Sequence, residues 1–182
     1  IINEQSKSKI SNNLLIKNIT IDSKVTKKND IFFAIKGKKI DGNKFVNEAL
    51  QKKASLAIVN RINKNCAISK QIKVKNSLNF LTKCSSIYRD NISAKIISIT
   101  GSCGKTTLKE MMGYVLKKIS KTTYSPKSFN NKYGVPLSLF NLKQNDDFGI
   151  LEVGMDKKGE IDNLTKIIKP DLGVITNISY AH

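Results

Sequence analysis

A chain of 182 residues with 40% hydrophobic side chains can bury roughly 70% of its unfolded surface, enough for one or two folded domains. Three cysteines without CxxC spacing and a single histidine exclude a disulfide framework or a zinc site. No apolar run approaches the roughly 20 residues of a membrane span, and IINEQSKSKI is too polar for a secretory signal, so no membrane insertion and a cytoplasmic location are expected. The formal charge is +18, yet only Arg61 and Arg89 among the 32 basic residues are arginines. Nucleic-acid readers cluster arginine and interleave aromatics, whereas these lysines are scattered, so no nucleic-acid partner is expected. The positive field does favour encounter with anionic small molecules such as nucleotides.

In chain order, DIFFAI (30–35) reads as a strand. Residues 45–53 read as a helix with Phe45, Val46, Ala49 and Leu50 inward, and LAIV (56–59) reads as a further strand. Residues 77–89 carry Leu78, Leu81 and Tyr88 at helical spacing. The polar segment 89–94 follows, which sets a domain boundary near residue 92 and gives domains 1–92 and 93–182. KIISIT (95–100) is a buried strand. After it Leu108, Met111, Met112, Val115, Leu116 and Ile119 recur on one helical face, the two methionines as core. A short strand near 122–124, a strand FGILEV (148–153), a helix over 160–168 with Ile161, Leu164, Ile167 and Ile168 on one face, and a strand DLGVIT (171–176) complete the pattern. The alternation predicts an α/β protein: a small N-terminal α/β domain, then a second domain built on a parallel sheet. Ligands in such sheets sit beyond the carboxyl ends of the strands.

Between the strand KIISIT and the following helix lies TGSCGKTT (100–107). Glycines there let backbone N–H groups face phosphate oxygens, and the helix N-terminus adds partial positive charge. Lys105 can neutralise a terminal phosphate and Thr106 can ligate Mg²⁺. The usual signature puts a glycine five residues before the Gly of Gly-Lys. That position is Ile99 here, and the first glycine is Gly101. Glu152 stands in the otherwise apolar ILEVG, where a carboxylate is costly unless paired or metal-bound, so it is a candidate to hold Mg²⁺ against ATP phosphates. Cys103, just before a helix N-terminus, is expected to be the most reactive thiol.

TGSCGKTT, then SFNNKYGVPLSLFNL, then LEVGMDKKGEIDNLTKIIKPDLGVITNISYAH resemble the ATP-binding central domain of the Mur ligases. Asn130, Asn131, Gly134, Val135 and Pro136, with Gly159, Glu160, Ile161, Pro170, Asp171, Asn177 and His182, resemble the branch that adds D-alanyl-D-alanine. IDSKVTKKNDIFFAIKGKKIDGNKF is similar to the same family's N-terminal domain, which holds the UDP end of the substrate. The resemblance implies an ATP- and Mg²⁺-dependent ligase of peptidoglycan precursor synthesis. Its partners would be UDP-N-acetylmuramoyl-tripeptide and D-alanyl-D-alanine, its intermediate an acyl phosphate, and its state a monomer. By position it implies catalytic roles for Lys105, Glu152, His182 and Asn131. Nucleotide would be bound by Gly101, Ser102, Cys103, Gly104, Lys105, Thr106, Thr107 and Asn177, metal by Thr106, Glu152 and His182, and substrate by Ser23, Lys24, Asn43 and Asn130.

The family usually has Arg at Lys24, His at Asn43 and Asn at Cys103. The first two departures bear on UDP contacts; the third should be tolerated, since that residue contributes mainly its N–H. The family also continues beyond the last AH, with a metal-bridging lysine and a third domain, and Ile1 is not a start methionine. The chain is therefore expected to be a fragment that does not catalyse ligation alone.

Overall fold

The structure, a computed structural model, describes Ile1, Ile2, Gln5 and residues 14–179. The chain divides into two compact units, Ile1–Cys84 and Ser85–His182. Among the described residues, no helix is long and apolar enough to cross a membrane.

The first unit is built on four parallel strands in the order β1 (Ile19–Thr20), β2 (Ile31–Phe33), β3 (Leu56–Val59), β4 (Gln71–Lys73). Every residue of β2 and β3 is buried, as expected for parallel strands covered on both faces. Phe32, Ala34, Ala57 and Val59 pack with Val46 and Ala49 of helix α1 (Val46–Gln51), while the Phe33 ring meets Phe80, centroids 6.2 Å apart. A 3-10 turn (Gly42–Phe45) precedes α1, capped by the Asp41 side chain on the Asn43 N–H. That turn carries Phe45 to the surface, so Phe45 is exposed rather than inward. The sequence pattern missed β1 and β4, both too short and polar to show alternation. Buried Gln71 in β4 is satisfied through the Asn63 N–H and carbonyl.

Helix α2 (Ser77–Asp90) leads toward the second sheet, whose parallel strands run in the order β6 (Thr122–Tyr124), β7 (Phe148–Glu152), β5 (Lys95–Thr100), β8 (Leu172–Ile175). Alternation along β5 sends Ile96 to one face and Ile97 and Ile99 to the other. Ile96 joins Leu151, Val153, Val135, Leu139, Leu164 and Ile168, under helices α4 (Gly134–Phe140) and α5 (Glu160–Ile168). Ile97 and Ile99 lie against Leu108, Met112 and Leu116 of helix α3 (Lys105–Leu116).

The α3 stripe differs from its sequence expectation. Met111, Val115 and Ile119 are 62%, 57% and 78% exposed, and the buried positions are Lys109 and Gly113. At 3.6 residues per turn this rotates the buried face by roughly 60°. The cause is local: the Tyr124 ring lies where a Cβ on Gly113 would be, 2.4 Å away, so the helix backbone seats on that ring. Helix α4 was not legible in the sequence; Gly134 and Pro136 obscure a seven-residue helix, although Pro is tolerated in a first turn.

Asp171 ties the start of β8 to β5. Its carboxylate accepts from the Ile96 N–H at 2.8 Å, Lys95 Nζ at 3.1 Å and an Arg89 guanidinium nitrogen at 3.4 Å. The Ile96 N–H, then Lys95, hold this carboxyl below its ordinary value. A depressed folded value stabilises above the unfolded one and is lost as pH falls through the folded one. Asp171→Asn should therefore lower the denaturant midpoint at neutral pH, and the gap should close below about pH 4. A gap that stays constant into acid would show that the ionised carboxylate is not the source.

Candidate functional site

The site lies at the carboxyl ends of β5 and β7, where parallel sheets place ligands. The chain leaves β5 at Thr100 and turns through Gly101 (φ 132) and Gly104 (φ 79), which caps α3 in the left-handed region. Side chains rarely adopt either conformation. At Gly101 space forbids one as well, because a Cβ would fall 2.2 Å from Thr176 Oγ1. The first N–H groups of α3 have no intrahelical acceptor and face the loop with the helix dipole behind them. Lys105, the first residue of α3, bends back so that Nζ donates to the Gly101 carbonyl at 2.6 Å and lies 3.4 Å from that of Ser102.

The segment after β8 clasps this loop. Ser102 N–H donates to the Asn177 carbonyl at 3.1 Å, and Cys103 N–H donates to Asn177 Oδ1 at 3.0 Å. Asn177 Nδ2 approaches Cys103 Sγ at 3.1 Å, Thr176 Oγ1 donates to the Cys103 carbonyl, and Ser102 Oγ bonds Ser179. Asn177 thus stands on the loop itself. Thr107 is exposed on the first turn of α3.

Glu152 closes β7 at 1% exposure. Thr106 Oγ1 donates to its Oε2 and Asn130 Nδ2 to its Oε1, both at 2.8 Å, and the Glu152 N–H donates to Ser125 Oγ at 3.3 Å. A buried carboxylate met by two neutral donors is a setting that favours a cation close by. The Thr106 hydroxyl and the Glu152 carboxylate are hard oxygen donors of the kind Mg²⁺ takes together with water and phosphate oxygens. Among the described residues no group of three or more His, Cys, Asp or Glu gathers; His182 lies outside the described residues. Thr106, Glu152 and Asn130 are brought together with the Lys105 loop. Asn131 stands beside them, and its Oδ1 accepts from the Tyr133 and Gly134 N–H groups to cap α4. Sequence reasoning did not single out Ser125, Thr176 or Lys109, none of which belongs to the phosphate-loop pattern.

In the first unit, Ser23 Oγ donates to Glu48 Oε2 at 2.8 Å, and Lys52 Nζ donates to the carbonyls of Ser23 and Lys24. Asn43 is buried: Nδ2 donates to Asp41 Oδ1 at 2.7 Å, and Oδ1 accepts from the Asn60 N–H at 3.0 Å. Those bonds from Asn43 hold the Asp41 carboxyl below its ordinary range. Lys24 is exposed. An open hollow of about 360 Å³ beside Asn43 is lined by Lys44, Arg61, Asn63 and Lys64.

The three thiols separate cleanly by environment. Burial pushes Cys84 up to about 11 and raises Cys66, while Cys103 is exposed on the loop. Iodoacetamide should label Cys103 first, and saturating nucleotide should slow that labelling by about tenfold or more. Equal labelling of all three thiols, indifferent to nucleotide, would contradict this placement.

The Mur ligase middle domain model matches residues 99–182, and the model of the Mur ligase family catalytic domain matches residues 15–89. The UDP-N-acetylmuramoyl-tripeptide–D-alanyl-D-alanine ligase of Buchnera aphidicola subsp. Baizongia pistaciae is 38% identical over 92% of this chain and 36% of its own length. That of Rickettsia prowazekii is 36% identical over 95% and 38%. Among solved structures, the UDP-N-acetylmuramoylalanyl-D-glutamyl-2,6-diaminopimelate–D-alanyl-D-alanyl ligase from Acinetobacter baumannii superposes with a TM-score of 0.88 at 33% identity, covering 100% of this chain and 41% of that one. The MurF ligase from Thermotoga maritima in complex with ADP gives 0.77 at 34% identity, covering 92% and 39%. The chain spans a little over a third of the length of these relatives. With a phosphate loop on β5, a buried carboxylate on β7 and matches to both domain models, the chain belongs to the Mur ligase family.

Proposed function

We propose that this chain supplies the UDP-substrate unit and the nucleotide-binding part of an ATP-dependent ligase joining D-alanyl-D-alanine to UDP-N-acetylmuramoyl-tripeptide in the cytoplasm. The observation that carries the reading is Glu152, buried between Thr106 and Asn130 at the mouth of the Gly101–Lys105 loop. Relatives covering both units are named for this reaction.

The loop N–H groups and the α3 N-terminus would receive the phosphates, and the Lys105 ammonium would move from its own loop carbonyls onto the outer phosphates. Thr106 and Glu152 would hold Mg²⁺. When bound, Mg²⁺ would neutralise phosphate charge, so that a substrate carboxylate could attack the γ-phosphate with ADP as the leaving group, and the incoming amine could then displace inorganic phosphate from the resulting acyl phosphate. Asn130 fixes the aim of Glu152. Asn131, capping α4 beside it, orients the rim of the site on which the acyl group would lie. No side chain here needs to become a covalent nucleophile; positioning and charge neutralisation suffice. In the first unit Lys24 and the hollow edged by Lys44, Arg61 and Lys64 offer positive charge for the UDP end, and Asn43 forms part of that hollow's wall. Ser23, the other residue of this unit expected at the substrate, is bonded to Glu48 of α1.

The test is product mass. The protein at its native length, given ATP, Mg²⁺, the UDP-linked tripeptide and D-alanyl-D-alanine, should produce the tripeptide precursor enlarged by one dipeptide. A product enlarged by a single amino acid would move the chain to a sister ligase, and no product with any amine would leave a nucleotide-binding remnant.

A further inference from the structure

Lys109 is withdrawn completely from solvent, although a lysine is rarely buried unless its charge is met. It sits one turn into α3, three residues after Thr106, on the same side of the helix. Its Nζ donates to the Lys127 carbonyl at 2.5 Å and pairs with Glu110 Oε1 at 2.9 Å. Neighbouring residues on a helix point apart, so the half-exposed Glu110 folds back to reach it.

The acceptor is a strained one. Lys127 has φ 49, a left-handed conformation that side chains disfavour, inside the turn that connects β6 to α4. A charge-assisted bond onto that carbonyl holds the turn in place. Ser125, at the start of the turn, has its N–H on the Ile150 carbonyl. Asn130, at its end, is fixed twice: its carbonyl accepts from the Gly154 N–H at 2.6 Å, and Nδ2 donates to Glu152 Oε1 at 2.8 Å. Helix α3 therefore reaches Glu152 along two arms. Thr106 touches one carboxylate oxygen directly; Lys109 acts on the other through the 125–130 turn and Asn130.

We infer that Lys109 is a positioning residue that locks Asn130 onto Glu152 and so sets the aim of the carboxylate at the cation accompanying the nucleotide phosphates. This rests on the reading of Thr106 and Glu152 as the Mg²⁺ residues. A methionine would fill the same volume without pinning the turn. The role therefore predicts a metal-specific defect, whereas plain core filling predicts only a general loss of stability.

The experiment uses the protein at its native length as wild type, Lys109→Met and Lys109→Gln. ADP binding is measured by calorimetry in EDTA and across a Mg²⁺ titration, and amide exchange is followed through residues 125–131 and Gly154. Wild-type binding should strengthen with Mg²⁺. In Lys109→Met that Mg²⁺ increment should fall by about tenfold, as for partners that orient a metal ligand, with binding in EDTA within about twofold of wild type. Exchange at Asn130 and Gly154 should quicken while β5 amides stay protected. Lys109→Gln, which keeps an N–H donor, should fall between the two, and it carries the comparison if the methionine variant does not fold. An undiminished Mg²⁺ increment in both variants, or equal losses with and without Mg²⁺, overturns the inference alone. Wild-type binding indifferent to Mg²⁺ overturns the metal reading and the inference with it.

Discussion

Lys105→Ala, made in the protein at its native length, should lower turnover with ATP by about 10²- to 10³-fold, the range seen when one charge-stabilising donor is removed from a preorganised site. The structure explains why this loss should come without unfolding. Among the described residues Nζ bonds to carbonyls of its own loop, Gly101 and Ser102, so its removal strands no buried partner there, and stability should change by less than about 1 kcal/mol. Lys105→Arg should not restore activity, because the broader guanidinium cannot sit as a point charge beneath the Gly101 carbonyl. A variant within tenfold of wild type would mean that the outer phosphates are neutralised elsewhere.

The second large effect is expected at Glu152, where two substitutions separate chemistry from packing. Glu152→Gln keeps the shape and one carbonyl acceptor for Asn130 Nδ2, and the Thr106 hydroxyl can rotate to accept from the new amide. It should fold, yet lose on the order of 10²-fold in turnover and need far more Mg²⁺. Glu152→Ala instead leaves the donors of Thr106 and Asn130 without their buried acceptor, which costs about 1–3 kcal/mol for an unsatisfied group. Thermal denaturation beside turnover distinguishes them. Full activity in the glutamine variant would remove the carboxylate from the metal site.

Much of this architecture could be read from the sequence because its buried parallel strands are short, largely apolar runs. LAIV and KIISIT appear as β3 and β5, FGILEV appears as β7 one residue shorter, ending at Glu152, and helix α5 has the bounds its spacing predicts. What could not be read depends on contacts made at a distance. The packing side of α3 is decided by a ring on β6 meeting Gly113 and by a carbonyl reached by Lys109; no apolar periodicity records either, so Met111, Val115 and Ile119 read as core. Asn130 reads as a substrate residue by resemblance, whereas its side chain in the fold is bonded to Glu152. Asn43, likewise expected near the UDP moiety, spends its amide on Asp41 and the Asn60 N–H. Lone polar residues in a sequence carry no mark of which internal partner will claim them.

The phosphate loop is the centre of this account, and equilibrium binding of ADP tests it most directly. In calorimetry with Mg²⁺ present, the wild-type protein at its native length should bind ADP saturably, and Lys105→Ala should weaken that binding by about tenfold or more. Binding of equal strength in both proteins would place the nucleotide away from the Gly101–Lys105 loop and contradict the assignment of the site.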